Sequence, residues 1–155
     1  MRYFMTQILS ALEYMHSKDI NIIHRDLSLK NIFIGNNFDN TMQVKIGDFG
    51  MSIQLQEDEQ KSLRNSFCGT YHFIAPEIYK NEEEETQFSY SQKNDIWALG
   101  VIFYTLLIGS NPFDMNAKSL NHLKTLIKNS AYVLPPANMK DPFGFEISDE
   151  ARDLV

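Results

Sequence analysis

The stretch NIIHRDLSLKNIFIG, residues 21–35, places His24, Arg25 and Asp26 side by side, with Asn31 five residues after the aspartate. A carboxylate can take a proton from a hydroxyl group, and carboxylate and amide oxygens suit a hard divalent cation. Two short apolar runs flank these polar residues, which indicates a loop between strand-like segments. Taken alone, such an Asp and Asn would more often be turn or cap residues, so the case for chemistry depends on the motifs downstream of them.

Three further motifs occur in order: GDFG at 47–50, CGTYHFIAPE at 68–77 and DIWALG at 95–100. One of them alone would be weak evidence, whereas all of them in this order and spacing are specific. Together with HRDLSLKN they resemble the eukaryotic protein kinase family, serine/threonine type, whose catalytic loop, magnesium loop and activation segment carry them. The resemblance covers essentially the whole chain. It implies an ATP-dependent enzyme that phosphorylates serine or threonine in protein substrates.

The resemblance assigns the chemistry to a few residues. Phosphoryl transfer needs an acceptor hydroxyl held in line, metal ions on the phosphates and a group that takes the hydroxyl proton. Asp26 matches the catalytic base, while Asn31 and Asp48 match the ligands of the Mg²⁺ that accompanies ATP. Thr70 matches the threonine of serine/threonine kinases that bonds to the catalytic aspartate. Phe33 stands where the family places an apolar residue beneath the adenine ring, and ordinary hairpin packing explains it almost as well.

Other residues would support the site without doing chemistry. By resemblance, His24 and Phe49 stack in the hydrophobic column that aligns the catalytic loop. Asp95 would accept backbone hydrogen bonds from that loop; a plain helix N-cap is the alternative, and both roles could hold together. Glu77 of the APE motif should pair with an arginine further along, and this chain has none at the expected place.

Arg25, next to the predicted catalytic base, indicates control through the activation segment. By resemblance, its guanidinium would bind a phosphate on that segment and order it. Ser66 is at the matching position, and Ser62 is the second choice. The alternative is an unmodified loop serine, because a sequence cannot show modification.

One position departs from the family pattern. Serine/threonine kinases usually carry a lysine two residues after the catalytic aspartate, and this chain has Ser28 there. Lys30, four residues after Asp26, is placed like the cation of tyrosine kinases, and a lysine is long enough to reach the γ-phosphate. We therefore expect Lys30 to replace the missing cation. The alternative is a solvated surface lysine.

Hydrophobic periodicity predicts the helices that must position these motifs. Residues 1–16 carry an i, i+3, i+4 apolar stripe, which is typical of an amphipathic helix. Residues 95–109 are apolar on every side, which predicts a core helix buried all round and closed by Gly109. Further helices are predicted over 117–130 and after Ser148, which serves as N-cap.

Shorter segments are predicted between the helices. Strand-like runs lie at 20–23, 31–34 and 42–46, and the last two form a hairpin that brings the predicted metal ligands on either side of it together. Residues 51–74 have no clear period, which indicates a long functional or mobile loop. The acidic run 81–94 is predicted to be a solvated insertion.

The predicted fold is mainly α with a small β-hairpin, like the C-terminal lobe of a protein kinase. The chain shows no Gly-rich loop, strand lysine, paired glutamate or hinge before its first helix, so we expect the N-terminal lobe and the last helices to be absent. Residues 1–155 would be a partial catalytic domain, with the catalytic loop at 24–31, DFG at 48–50 and the activation segment at 48–77. We expect this chain alone to transfer phosphate poorly, because positioning of ATP dominates the catalysis.

Composition narrows the class of protein. Apolar residues make up 43% of the 155 residues, which indicates a globular chain. The net charge is −6, with acids concentrated at 57–59 and 82–85, so no basic face for nucleic acid is expected.

Cys68 is the single cysteine, and no signal-like or membrane-length apolar run occurs. We expect an intracellular, cytoplasmic protein without a membrane partner. Nothing in the sequence indicates an oligomeric state.

Two other functions stay open at this point. A catalytically impaired, pseudokinase-like scaffold or protein-interaction module would fit Ser28 and the missing lobe. Asp26, Asn31 and Asp48 oppose it, because a scaffold needs neither a base nor metal ligands. A kinase of small molecules fits less well, because the segment from GT to APE is of the kind that holds a peptide.

Overall fold

A computed structural model describes residues 2–37, 41–56, 61–64, 66–114, 117–132, 140–142, 144 and 146–153. The acidic run 57–59 lies outside them. The helices in these ranges are α1 Arg2–His16, α2 Pro76–Glu83, α3 Gln92–Ile108, α4 Leu120–Lys128 and α5 Asp149–Asp153. The strands are β1 Ile22–Ile23, β2 Ile32–Asn36, β3 Met42–Ile46, β4 Ile53–Gln54, β5 Lys61–Arg64 and β6 Phe88–Ser91.

The strands form three antiparallel pairs, β1 with β4, β2 with β3 and β5 with β6. The β2–β3 pair is the predicted hairpin, with Ile32 opposite Ile46. The prediction that 51–74 is only a loop is wrong, because β4 and β5 lie within it. The prediction of a solvated insertion at 81–94 is wrong for the same reason: β6 lies there, and its Tyr90 is 2% exposed.

The core is built around α3, whose residues belong to three apolar clusters. The apolar stripe of α1 packs against one side, in a cluster with Ala98, Leu99 and Ile102 of α3. Val101 belongs to a second cluster with residues of α2, β6 and α4. The members of this second cluster outside α3 include Ile78, Tyr79, Tyr90, Phe113, Leu123 and Ile127.

The start of α3 differs from the prediction. Ser91 is the N-cap: its Oγ accepts from Lys93 N at 3.3 Å, while its own N–H donates to Asn94 Oδ1 at 2.6 Å. This capping box begins the helix at Gln92, so Asp95 lies in the first turn and is not the N-cap. The helix ends as predicted, with Gly109 in the left-handed region at φ 86°.

Burial of α3 on every side is also a wrong prediction. Ile96 is 44% exposed. Beside it, Trp97 and Tyr104 line a cavity of about 410 Å³, together with Phe113 and Tyr132. The Trp97 and Phe113 rings are stacked at 6.0 Å between centroids. Apolar residues on this side therefore line a cavity, although Tyr104 itself is buried in a third cluster with Ile147, against which Ala151 of α5 packs.

Helix α4 is shorter than the predicted range 117–130. Ser119 Oγ accepts from His122 N at 3.2 Å, and this cap starts α4 at Leu120. Ser148 Oγ accepts from Ala151 N at 3.3 Å, which agrees with its predicted role as an N-cap. None of the helices in the described ranges is long and apolar enough to cross a membrane.

Candidate active site

Asp95 anchors the loop that carries the HRD motif. Its side chain is 1% exposed. Its Oδ2 accepts from His24 N at 2.8 Å, and its Oδ1 accepts from Arg25 N at 3.0 Å. The ring Nε2 of His16 lies 2.8 Å from the same Oδ2. The first turn of α3 and the last turn of α1 therefore fix the backbone at residues 24 and 25.

Two residues of the site have left-handed backbone. Arg25 has φ 66° and Asp48 has φ 60°. Such a conformation costs a non-glycine residue about 1–2 kcal/mol, so it persists only where surrounding contacts hold it. For Arg25, the hydrogen bond from its N–H to buried Asp95 is such a contact.

The Asp26 carboxylate is held by three hydrogen bonds. Thr70 donates twice to Oδ1, from its N–H at 2.7 Å and from its Oγ1 at 2.8 Å. Asn31 Nδ2 lies 3.2 Å from Oδ2 and 2.8 Å from the Asp26 carbonyl oxygen. These contacts fix the carboxylate against both Thr70 and the turn that contains Asn31. Because Oδ1 already takes two strong donors, Oδ2 has the larger remaining capacity to accept a proton.

The hairpin brings Asn31 next to the segment that contains Asp48. Gly47 N donates to the Asn31 carbonyl oxygen at 2.9 Å. Asp48 itself is exposed, and its carboxylate makes no hydrogen bond or ion pair with the other described residues. Asn31 uses only its amide nitrogen in side-chain hydrogen bonds, so its side-chain oxygen is also unused. The hairpin therefore leaves the Asn31 amide oxygen and the Asp48 carboxylate without hydrogen-bond partners among the described residues, so both groups are available to bind a metal ion.

His24 connects the loop of the HRD motif to the turn of the DFG motif. Its ring is fully buried and lies edge-on to Phe49, with 5.0 Å between centroids. Asp26 N lies 3.3 Å from Nδ1, and Nε2 lies 3.0 Å from the Gly47 carbonyl oxygen. The backbone N–H can only donate, which assigns Nδ1 as acceptor and places the ring proton on Nε2. A neutral imidazole with that tautomer satisfies both contacts.

Several predicted residues stand apart from this cluster. Lys30 is exposed and makes no hydrogen bond or ion pair with the described residues. Phe33 is 54% exposed, and its ring covers Gly47, where an added Cβ would lie 2.8 Å from Phe33 Cε2. Ser28 is fully buried, and its Oγ has no hydrogen-bond partner among the described residues. Ser28 is therefore buried at the position where the family that this chain resembles usually carries a lysine that reaches the γ-phosphate.

Glu77 has a partner that the sequence did not suggest. Asn94 Nδ2 donates to Glu77 Oε1 at 2.6 Å, while Asn94 also belongs to the capping box of α3. The arginine expected for Glu77 is absent from the described contacts, and an asparagine in the first turn of α3 bonds to the carboxylate. The sequence carried no sign of this, because Asn94 lies in a polar run that predicts only an insertion.

Arg25 and Ser66 both contact Tyr90. Arg25 Nε donates to the Met51 carbonyl oxygen at 2.6 Å, and its Cζ lies 4.8 Å from the Tyr90 ring centroid. The Tyr90 hydroxyl donates to the Ser66 carbonyl oxygen at 3.2 Å. Ser66 is exposed. Both Tyr90 and His16 were missed by the sequence analysis, since their partners lie far away along the chain.

Comparison with known proteins identifies a family and several relatives of this chain. The protein kinase domain model matches residues 1–155. The chain is 40% identical over 153 residues to an Aurora kinase of Eremothecium gossypii, covering 99% of the chain and 35% of that protein. It is 39% identical over 154 residues to the cell cycle serine/threonine-protein kinase CDC5/MSD2 of Saccharomyces cerevisiae, covering 99% of the chain and 19% of the relative.

A third relative is the serine/threonine-protein kinase plk-2 of Caenorhabditis elegans, 40% identical over 134 residues, with 86% of the chain and 18% of the relative covered. The chain thus spans between 18% and 35% of the length of these three relatives. A family model that matches every residue settles the classification. This chain belongs to the protein kinase domain family.

Proposed function

We propose that this chain, within its full-length protein, transfers the γ-phosphate of ATP to serine or threonine hydroxyls of protein substrates. One observation carries the proposal: the Asp26 carboxylate is fixed by Thr70 and Asn31, and Asn31 is joined through Gly47 to the segment of Asp48. Relatives named as serine/threonine kinases support the choice of acceptor. On this proposal, 24–31 is the catalytic loop, 48–50 the DFG turn and 48–77 the activation segment of a C-terminal-lobe fold.

Asp26 orients the acceptor and takes its proton. A serine or threonine hydroxyl would donate to Oδ2, the carboxylate oxygen that carries only the 3.2 Å contact from Asn31. Thr70 neutralises part of the charge on Oδ1 and prevents rotation of the carboxylate. Because the acceptor is held in place, the attack on phosphorus becomes effectively unimolecular, which is the main contribution that a protein makes to this reaction.

Asp48 and Asn31 fit a hard divalent cation, and we propose Mg²⁺. Their available donors are a carboxylate and an amide oxygen, and both lack partners among the described residues. No group of three or more His, Cys, Asp or Glu in the described ranges could hold a metal, so a cation here would need further oxygen ligands. Mg²⁺ usually completes its shell with phosphate oxygens and water. When bound, the cation would neutralise charge on the phosphates.

Lys30 and Phe33 are proposed to contact ATP. Lys30 is exposed without a described partner, so its ammonium is available for the γ-phosphate, whereas Ser28 is buried and cannot reach it. Phe33 offers an apolar ring at the surface of β2 for the adenine base, although its packing over Gly47 explains its position equally.

Control by a phosphate on Ser66 stays a prediction. Arg25 Nη1 is buried without a hydrogen-bond partner among the described residues, so the guanidinium has an unused donor. Ser66 is held here through its backbone carbonyl, and its side chain is exposed. A kinase could therefore reach the Ser66 hydroxyl without unfolding the core.

The test is transfer of labelled phosphate from ATP to a protein substrate by the full-length protein, with Asp26→Asn as the matched variant. Loss of a positioned general base should lower kcat by a factor of about 100 to 10,000. Asp48→Asn should raise the Mg²⁺ concentration needed for half-maximal rate, because it removes a charged ligand. Equal incorporation by wild type and Asp26→Asn would refute the role of Asp26.

A scaffold that lacks catalysis is the second candidate. The burial of Ser28, at a position where the family usually has a lysine, is the observation that favours it. The same assay decides between the two functions. If the protein is a scaffold, neither wild type nor Asp26→Asn will transfer phosphate to the substrate, and both will bind partner proteins equally well.

A further inference from the structure

Tyr90 lies at a junction between three parts of the chain. Its backbone belongs to β6 and pairs with Ser62 of β5 in the activation segment. Its side chain is 2% exposed, and its ring faces the guanidinium of Arg25, with 4.8 Å between Cζ and the ring centroid. The catalytic loop, the activation segment and the strand that leads into α3 therefore meet at one side chain.

The Tyr90 hydroxyl uses its full hydrogen-bonding capacity on the activation segment. It donates to the Ser66 carbonyl oxygen at 3.2 Å and accepts from Cys68 N at 3.2 Å, with Cys68 Sγ at 3.5 Å. Burial raises the pKa of Tyr90, which keeps the hydroxyl protonated and able to donate. Residues 66 and 68 are thus held just before Thr70, which bonds to Asp26.

Arg25 reaches the same junction from the catalytic loop. Its Nε donates to the Met51 carbonyl oxygen at 2.6 Å, next to the DFG turn. The face of the Tyr90 ring attracts the cation electrostatically. Arg25 forms no ion pair with a described carboxylate. The cation is therefore held by a ring and a carbonyl group rather than by an anion.

We infer that Tyr90 is a positioning residue that holds residues 66–68 against Arg25 in the absence of a phosphate, and so keeps Thr70 on Asp26. The inference rests on the proposed kinase function and goes beyond it. The sequence led us to expect that a phosphate on Ser66 orders the activation segment. The inference assigns this role to the unmodified side chain of Tyr90. Tyr90 touches no reacting atom and acts only through the activation segment.

The test compares the full-length protein as wild type, Tyr90→Phe and Tyr3→Phe, each after treatment with a protein phosphatase, and includes untreated wild type. Tyr90→Phe removes the hydroxyl and keeps the ring. Tyr3→Phe is the matched control, because the Tyr3 hydroxyl also donates to a backbone carbonyl oxygen, that of Met42 at 2.7 Å, and lies in α1 rather than beside the activation segment.

Amide hydrogen exchange at residues 61–68 is the first measurement, and it does not depend on activity. We expect exchange about tenfold faster in Tyr90→Phe than in wild type, and unchanged in Tyr3→Phe, because the loss of one buried hydrogen-bonding group has an effect of about this size. The second measurement is peptide phosphorylation. In Tyr90→Phe, kcat should fall about tenfold while the KM for ATP stays within about twofold, because the nucleotide contacts are untouched.

Three outcomes would overturn the inference. The first is equal exchange at 61–68 in wild type and Tyr90→Phe. The second is faster exchange throughout α3 as well, which would show general destabilisation. The third is faster exchange at 61–68 in phosphatase-treated wild type than in untreated wild type, which would show that a phosphate orders the segment. If wild type transfers no phosphate, the proposed function fails, and the exchange measurement alone decides about Tyr90.

Discussion

Replacement of Asp95 by asparagine should destabilise the protein and disable the site together. The buried carboxylate accepts hydrogen bonds from His24 N and Arg25 N and contacts His16 Nε2. Asparagine keeps one oxygen, which can serve the Oδ2 partners, and turns an NH₂ group toward Arg25 N–H. A hydrogen bond to a charged group contributes about 1.5–3 kcal/mol, and the bonds that remain are weakened by loss of the charge. We therefore expect a loss of about 3 kcal/mol in the free energy of unfolding.

Urea unfolding monitored by the fluorescence of Trp97 measures this loss, and phosphate transfer by the full-length protein measures the effect on the site. Asp114→Asn is the matched control, because Asp114 also pairs with a histidine, His72, at 2.7 Å, but is 52% exposed. An exposed pair contributes at most about 1 kcal/mol. If Asp95→Asn costs no more stability than Asp114→Asn, our explanation of how α3 anchors the loop of the HRD motif is refuted.

Substitutions at three further positions test other parts of the site. Ser28→Ala should leave stability unchanged or raise it by about 1 kcal/mol in urea unfolding, because it removes a buried hydroxyl without a described partner; a loss above about 1 kcal/mol would contradict this. Thr70→Val should lower kcat about tenfold, and Thr70→Ser should restore it, because only the hydroxyl bond to Asp26 differs; equal rates for both variants would contradict this. Gly69→Ala should cost about 1–3 kcal/mol in thermal unfolding, because Gly69 has φ 109° and an added Cβ would lie 2.8 Å from the Arg25 carbonyl oxygen; an unchanged Tm would contradict this.

Local patterns in the sequence predicted the elements that carry the site. The stripe of Met5, Ile8, Leu12 and Met15 has helical spacing, and all four side chains are buried in α1. The apolar run that ends at Gly109 is the central helix. These predictions succeed because periodicity depends on neighbours in the sequence, whatever the rest of the fold does.

Contacts between distant residues could not be predicted in the same way. The β5–β6 pair joins two four-residue segments that lie far apart in the sequence, and the buried Tyr90 of β6 bonds to Ser66, 24 positions away. His16 and Asp95 are separated by 79 positions. A polar residue in a polar run has many possible partners, and only the tertiary structure selects one.

The site residues themselves show both situations. The motif resemblance pointed to Asp26, Asn31 and Asp48 before any geometry was known, and the hairpin does bring their segments together. It could not show that Ser28 is fully enclosed while Lys30 stays exposed, because burial within a loop has no periodic pattern. It also could not show that Asn94 bonds to Glu77.

The left-handed backbone at Arg25 and Asp48 has a consequence for the order in which parts of the protein unfold in denaturant. Both positions store conformational energy, but the Arg25 loop is anchored to α3 through Asp95, whereas the Asp48 side chain makes no hydrogen bond with the described residues, so the loop around Asp48 should open in a separate step before the core melts. Enzymatic inactivation should then occur at a lower urea concentration than the change in Trp97 fluorescence. Coincident midpoints would show that loops and core unfold as one cooperative unit.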